Sequence, residues 1–304
     1  MKGRPYFTIF TPCYNSEQFI QRVYESLCEQ EFKDFEWLLV EDCSTDDTLE
    51  ILKGFQGKGN LNVTIIKNET NQFLSENFNI AVAQAQGEFF IPLGHDDRFH
   101  DEKGLQLIWE ECEKIVDNEK VAGVWTKCIT QSGKLVGKDG PADYEIANFF
   151  DVFEKYVWQV EWFPCYKTDI LKDYPFYTDQ LRYYPEGLVW GRIAKKYELL
   201  FSSKVTRTYF VNENANALTK RSRSQVAQAV VEQQKVWIND FLQEADFSFK
   251  FRVRMVLSYT LHSVILKIKY SNVVLDLKPL KYRVAASVLF PLVVLASRLK
   301  LVKT

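Results

Sequence analysis

Several large functional classes are excluded by what this 304-residue sequence does not contain. Its six cysteines (Cys13, Cys28, Cys43, Cys112, Cys128 and Cys165) include no Cys-x-x-Cys pair and have no histidine at metal-ligand spacing. They read as free thiols of a reducing compartment, not as a zinc site or a disulfide framework. No Gly-x-Gly-x-x-Gly follows the first apolar run, which disfavours dinucleotide binding, and no Gly-x-x-x-x-Gly-Lys occurs, which excludes a P-loop. Thirteen glycines and nine prolines are too few for a fibrous or low-complexity chain. The opening Met-Lys-Gly-Arg-Pro-Tyr lacks the apolar core of a secretory signal, so the cytoplasm is the expected address.

What is present describes a folded protein of one large or two smaller domains, with 46% hydrophobic and 26% charged residues. The net charge of −2 conceals an asymmetry. Residues 250–304 hold eleven Lys or Arg against one acid, Asp276, which leaves −12 on the remainder. A basic tail on an acidic body points to an anionic partner. Residues 7–93 alternate β-rich runs (7–11, 36–41, 62–67, 88–93) with amphipathic segments, as in an α/β domain with a mainly parallel sheet and ligands at the carboxyl ends of its strands. Those ends carry the polar clusters: Thr11-Pro12-Cys13-Tyr14-Asn15, Glu41-Asp42-Cys43-Ser44 and Gly94-His95-Asp96-Asp97-Arg98. Asn15 or Ser16 is expected to cap the first helix. Further on, 142–190 holds 15 of the 45 aromatic residues, as packed core or as a platform that stacks on a sugar.

Asp96 and Asp97 follow a buried strand directly. Adjacent carboxylates there suit a hard cation that takes its other ligands from a diphosphate, although a helix N-cap is the plainer use.

Read together, the three strand ends resemble the family 2 glycosyltransferases of the glycosyltransferase A fold. The resemblance rests on Thr11-Pro12-x-Tyr14-Asn15, on Val40-Glu41-Asp42-Cys43-Ser44-Thr45-Asp46, on Asn71, Asn79 and Gly87-Glu88, and on the acidic motif ending in Asp96-Asp97. It implies a Rossmann-like catalytic domain over 1–215, with a nucleotide-binding half (1–100) and an acceptor half (101–215), followed by a helical basic tail over 216–304. Thr11, Pro12, Tyr14, Asn15, Asp42, Ser44, Asn71 and Asn79 are expected to line the donor nucleotide. Asp96 is expected to hold Mn²⁺ or Mg²⁺, with His95 and Asp97 beside the donor sugar and diphosphate, and Arg207 facing the diphosphate. The family's inverting chemistry requires a general base, and Glu186, in Tyr184-Pro185-Glu186-Gly187, is the carboxylate at the matching place. The sequence departs from the pattern at Gly94, where the family carries the first carboxylate of its motif. It also has Cys43 and Phe73 where the family has glycine, which is expected to change loop shape.

The implied reaction moves a sugar from a UDP- or dTDP-sugar to a glycan or lipid-linked glycan in cell-surface polysaccharide synthesis. The alternative is a catalytically degenerate sugar-nucleotide-binding scaffold. A nucleotidyltransferase would need basic residues in the loop 11–17, which has none. In the tail, the most apolar stretch, 284–297, is interrupted by Pro291 and falls short of the roughly 20 residues a spanning helix needs. Lys and Arg interleaved with aliphatic runs suit an anionic membrane surface on the inner face of the cell membrane, with helical packing or a homo-oligomer contact as the other reading. The same interleaving argues against nucleic acid.

Overall fold

The computed structural model describes residues 3–137, 145–156, 161–177, 185–211 and 222–299. The chain divides into two compact units: Met1–Tyr177 with Lys196–Asn214, and Thr178–Lys195 with Ala215–Thr304.

In the first unit, β1 (Phe7–Cys13), β2 (Phe35–Glu41), β3 (Val63–Lys67) and β4 (Phe89–Pro92) alternate with α1 (Ile20–Glu29), α2 (Thr48–Lys58) and α3 (Phe73–Gln84). The strands pair in parallel in the order β3-β2-β1-β4. β1 and β2 are nearly continuous apolar runs because both faces of a parallel sheet are covered; Phe7, Ile9, Phe10, Trp37, Leu38, Leu39 and Val40 are all buried. The chain continues through β5 (Arg98–Phe99), α4 (Gly104–Glu113), β6 (Val121–Thr130), β7 (Glu145–Ala147), α5 (Phe149–Tyr156), β8 (Trp162–Lys167), α6 (Thr168–Asp173) and β9 (Glu198–Tyr209). β8 runs antiparallel to both β4 and β6, so the sheet is mixed beyond β4. β9 runs unbroken over Glu198–Tyr209, with register irregularities against β6. Strand order turns at β1, with β2 on one side and β4 on the other, and such a switch point opens a crevice at the carboxyl ends.

Most of the described aromatic residues of the aromatic-rich segment are core: Phe149, Phe150, Phe153, Trp162, Phe163, Tyr166 and Phe176 are buried, whereas Tyr177 is exposed. Trp125 meets Phe149, Tyr166 and Phe201 edge-on. Trp158 lies outside the described residues.

Gly87, part of the motif that carries the family resemblance, has a packing reason. A Cβ there would lie 2.2 Å from the Thr8 nitrogen and 2.4 Å from the Phe7 carbonyl carbon, both main-chain atoms that cannot swing away. The close approach lets the Gly87 N–H donate to Thr8 Oγ1 (2.8 Å), which itself donates to buried Glu36. Gly87→Ala should therefore destabilise the fold by about 3 kcal/mol, read as a lower denaturation midpoint; an unchanged midpoint would contradict the packing.

The second unit is helical: α7 (Gly187–Ala194), α8 (Arg223–Asn239), α9 (Phe249–Ile265), α10 (Tyr270–Leu275) and α11 (Leu280–Arg298). Ser222 and Gln225 form a reciprocal capping box on α8, and Ser248 accepts the Phe251 N–H at the start of α9. Buried Trp237 sits edge-on to Phe241, Phe247 and Phe251. Two of the tail's cations are structural. Arg252 donates to the carbonyls of Leu242, Ala245 and Phe247, and Arg283 donates to that of Leu277.

Candidate active site

The loops after β1 and β2 are built as one piece. α1 begins at Ile20 with Phe19 in the N-cap position and no side-chain cap, so neither Asn15 nor Ser16 caps it. Both turn toward the loop instead. Ser16 Oγ accepts the Tyr14 N–H (3.1 Å). Asn15, in the left-handed region at φ 49°, donates its N–H to Ser44 Oγ (3.1 Å), and its Oδ1 accepts the Thr45 N–H (2.9 Å). Tyr14 is left 46% exposed, an aromatic face at the strand end. Thr11 is fully buried and its Oγ1 accepts the Trp37 indole N–H (3.0 Å), so its side chain belongs to the core.

Asp42, at the end of β2, is buried. Its Oδ1 accepts from Asn68 Nδ2 (2.8 Å) and the Gln72 N–H (2.7 Å), and its Oδ2 from the Phe73 N–H (3.0 Å). Asn71 Oδ1 shares the Phe73 N–H at 3.1 Å. Asp42 thus shapes the loop that opens α3. Asn79 is engaged elsewhere: its Nδ2 donates to the Phe176 carbonyl (2.9 Å) and its Oδ1 accepts the Phe176 N–H (2.8 Å).

Cys43 and Phe73 both sit at φ 62°. Both hold a left-handed turn that glycine would make freely. Together with Asn15 they place three strained backbones around the carboxyl ends of β1 and β2, a pattern typical of functional loops. Cys43 is exposed and contributes no core packing. Relief of left-handed strain exceeds the extra chain entropy of glycine, so Cys43→Gly should raise stability by about 0.5–1 kcal/mol. A lower denaturation midpoint would contradict that.

The two acids of the third cluster have separate tasks. Asp97 is buried; its Oδ2 lies 3.7 Å from the Arg207 guanidinium and its Oδ1 accepts the Phe210 N–H (3.2 Å). Burial pushes its carboxyl up to about 6, although Arg207 pulls the other way. Neither acid caps α4; Asp101 Oδ1 takes the Lys103 N–H beside that helix start. Arg207 is itself buried, paired with Glu161 (2.7 Å) and set against the Phe163 and Tyr209 rings. Its guanidinium is held inside the unit, where it fixes the acidic loop to β9. The Arg22 guanidinium lies 3.7 Å from the centre of the Phe210 ring. His95 lies beside Phe19 with a hydrogen bond to the Pro12 main chain, and burial holds its imidazole below the ordinary value, hence neutral.

Asp96 is only partly buried. A Cβ on Gly94 would lie 3.2 Å from Asp96 Oδ1 and 3.5 Å from Asp97 Oδ2, so the side chain missing at 94 would have entered this carboxylate group. No cluster of three or more His, Cys, Asp or Glu able to hold a metal occurs among the described residues. A single partly exposed carboxylate, that of Asp96, would suit a hard cation that brings most of its oxygen ligands with it, in diphosphate and water.

Sequence reasoning missed Glu161 and Arg22, which no motif marks. Only the pairing of distant strands brings Glu161 to Arg207. Glu186 belongs to the second unit, where it is exposed at the N-cap position of α7 and its carbonyl accepts the Val189 and Trp190 N–H groups.

Comparison with known proteins agrees with this geometry. The family model described as Glycosyl transferase family 2 matches residues 8–162. The chain is 31% identical over 176 residues to the poly(ribitol-phosphate) beta-N-acetylglucosaminyltransferase TarS of Staphylococcus aureus, a match covering 56% of this chain and 29% of TarS. It is 23% identical over 253 residues to the Campylobacter jejuni GalNAc(5)-diNAcBac-PP-undecaprenol beta-1,3-glucosyltransferase, covering 81% of this chain and 78% of that one. Among solved structures, S. aureus TarS 1–349 in complex with UDP-GlcNAc superimposes with a TM-score of 0.63 at 20% identity, covering 97% of this chain and 92% of that one. The mannosyltransferase PcManGT from Pyrobaculum calidifontis, in complex with GDP-Man and Mn²⁺, gives 0.59 at 17% identity, covering 97% and 81%. These likenesses carry the glycosyltransferase A fold, and with about half of the chain inside the family model, the protein belongs to glycosyl transferase family 2.

Proposed function

We propose that the protein is an inverting, metal-using glycosyltransferase that moves a sugar from a UDP- or dTDP-sugar to a glycan or lipid-linked glycan in cell-surface polysaccharide synthesis. The observation that carries this reading is the division of labour at the strand end: Asp97 is locked to Arg207, while Asp96 stands partly exposed beside it. The relatives named above support the substrate class, since their names specify transfer to a ribitol-phosphate polymer and to an undecaprenol-linked glycan.

In this mechanism Tyr14 offers its exposed face to the base. Asp42, Ser44, Asn15 and Asn71 shape the surrounding rim, with Pro12 as its floor. Asp96 would hold Mn²⁺ or Mg²⁺, which when bound offsets charge on the leaving diphosphate. His95, neutral, presents no competing positive charge there. Asp97, Arg207 and Glu161 keep the acidic loop in register, and Thr11 and Asn79 act through packing and chain position. Glu186 takes the acceptor hydroxyl proton as the oxygen bonds to the anomeric carbon and the carbon's bond to the nucleoside diphosphate oxygen breaks, releasing the diphosphate. The catalytic part spans 1–215, and 216–304 serves an anionic membrane on the cytoplasmic side.

A catalytically degenerate scaffold is the second reading, and Gly94 favours it. Melting temperature measured against a panel of nucleotide sugars, with and without Mn²⁺, tests the donor site. A rise with a UDP- or dTDP-sugar that grows with Mn²⁺ supports the enzyme. No shift with any donor would overturn both readings.

A further inference from the structure

Soluble helices present polar ridges to water, and α11 does the opposite. Leu280, Val284, Val288, Leu292, Leu295 and Leu299 recur at three- or four-residue spacing along one side, each 55–72% exposed. The other side is also apolar and is in place: Tyr282, Ala286 and Val293 are buried, and the helix packs on α9 and α10. No charge interrupts 284–297, whereas Lys281 and Arg283 stand at one end and Arg298 at the other.

Length and composition alone would allow α11, 19 residues at mean hydropathy 1.5, to cross a membrane. Its charge-free stretch argues otherwise, since 14 residues rise about 21 Å against about 30 Å of hydrocarbon. A crossing would also drag in or break away from α9, whose surface carries Lys250 and Arg254.

We infer that α11 is an in-plane membrane anchor: its Leu280-to-Leu299 ridge inserts at the headgroup boundary of an anionic phospholipid bilayer, and Lys281 at one end and Arg298 at the other contact lipid phosphates, while Arg283 stays on the Leu277 carbonyl. Charge selects this occupant over a second copy of the chain. No acid follows Asp276, so pairing two ridges would set Lys281 against Arg298, or each against itself. The inference sharpens the membrane part of the reading above and is independent of the transfer chemistry.

The test is flotation of the full chain with phosphatidylglycerol-containing vesicles, alongside Val288→Glu/Leu292→Glu and Lys281→Glu/Arg298→Glu. Melting temperature, sedimentation and nucleotide release from a donor sugar are measured on the same samples. The wild type should float with anionic vesicles and at least tenfold less with phosphatidylcholine alone. Both double variants should lose at least tenfold of that binding at unchanged melting temperature, because the ridge is exposed, and should keep donor turnover in solution. Equal flotation of wild type and ridge variant would overturn the inference, as would a wild-type dimer that the ridge variant converts to monomer without any flotation. Failure of donor turnover in all three proteins with flotation intact would instead count against the transferase reading alone.

Discussion

Asp96→Asn is expected to lower transfer about 10³-fold while leaving the melting temperature of the free protein unchanged. The carboxylate is partly exposed and is the group proposed to hold the cation; asparagine keeps its shape and removes its charge. Mn²⁺ should then cease to tighten donor binding. The neighbouring substitution should behave oppositely. Asp97→Ala strips Arg207, itself buried, of a partner and frees the Phe210 N–H. Removing one member of a buried pair costs about 3–5 kcal/mol, and the half-exposed Glu161 that remains offsets part of that. Two adjacent aspartates, one lost to activity and one to stability, would be hard to explain if both were surface acids. Equal behaviour of the two variants would contradict the separation of roles.

Glu186→Gln is expected to abolish transfer, by about 10²–10⁴-fold in kcat, with donor affinity and Mn²⁺ response intact. A general base acts on the acceptor proton and has no part in holding the nucleotide, so the loss should fall on kcat. Its place at the helix start allows a plainer role, since an acid there favours the N-terminal end of the helix dipole by about 0.3–1 kcal/mol. The readouts differ: a helix-dipole acid would lower the melting temperature slightly and leave turnover alone. Full turnover by this variant would remove Glu186 from the mechanism.

How much of this was legible in the sequence depended on range. β1 and β2 are apolar runs ended by turn residues, and their paired burial follows from local pattern. β5 and β7, two and three residues long, carry no periodic signal. In β9 the polar residues Ser202-Ser203-Lys204 interrupt the apolar pattern, and the strand tolerates them where its register against β6 shifts. The start of α1 was misplaced because Phe19, an aromatic, fills the N-cap position while the polar residues before it stitch two loops together. The same limit shaped the site. Tyr14, Asn15, Ser44 and Asp96 can be placed from strand ends alone. That Thr11 would turn inward to Trp37, and that Asn79 would clamp Phe176, needed the three-dimensional neighbours. The family resemblance alone sets Arg207 facing the diphosphate, whereas the folded chain buries its guanidinium. Its partners, Asp97 and Glu161, are 110 and 46 residues away in sequence.

The most direct test of the account is release of nucleoside diphosphate from the donor sugar that stabilises the protein best, measured with Mn²⁺, with EDTA, and in the Asp96→Asn variant. The account predicts release by the wild type with Mn²⁺, and none with EDTA or in the variant. Tight donor binding with no release by the wild type, unaltered by Mn²⁺, would identify a scaffold and contradict it.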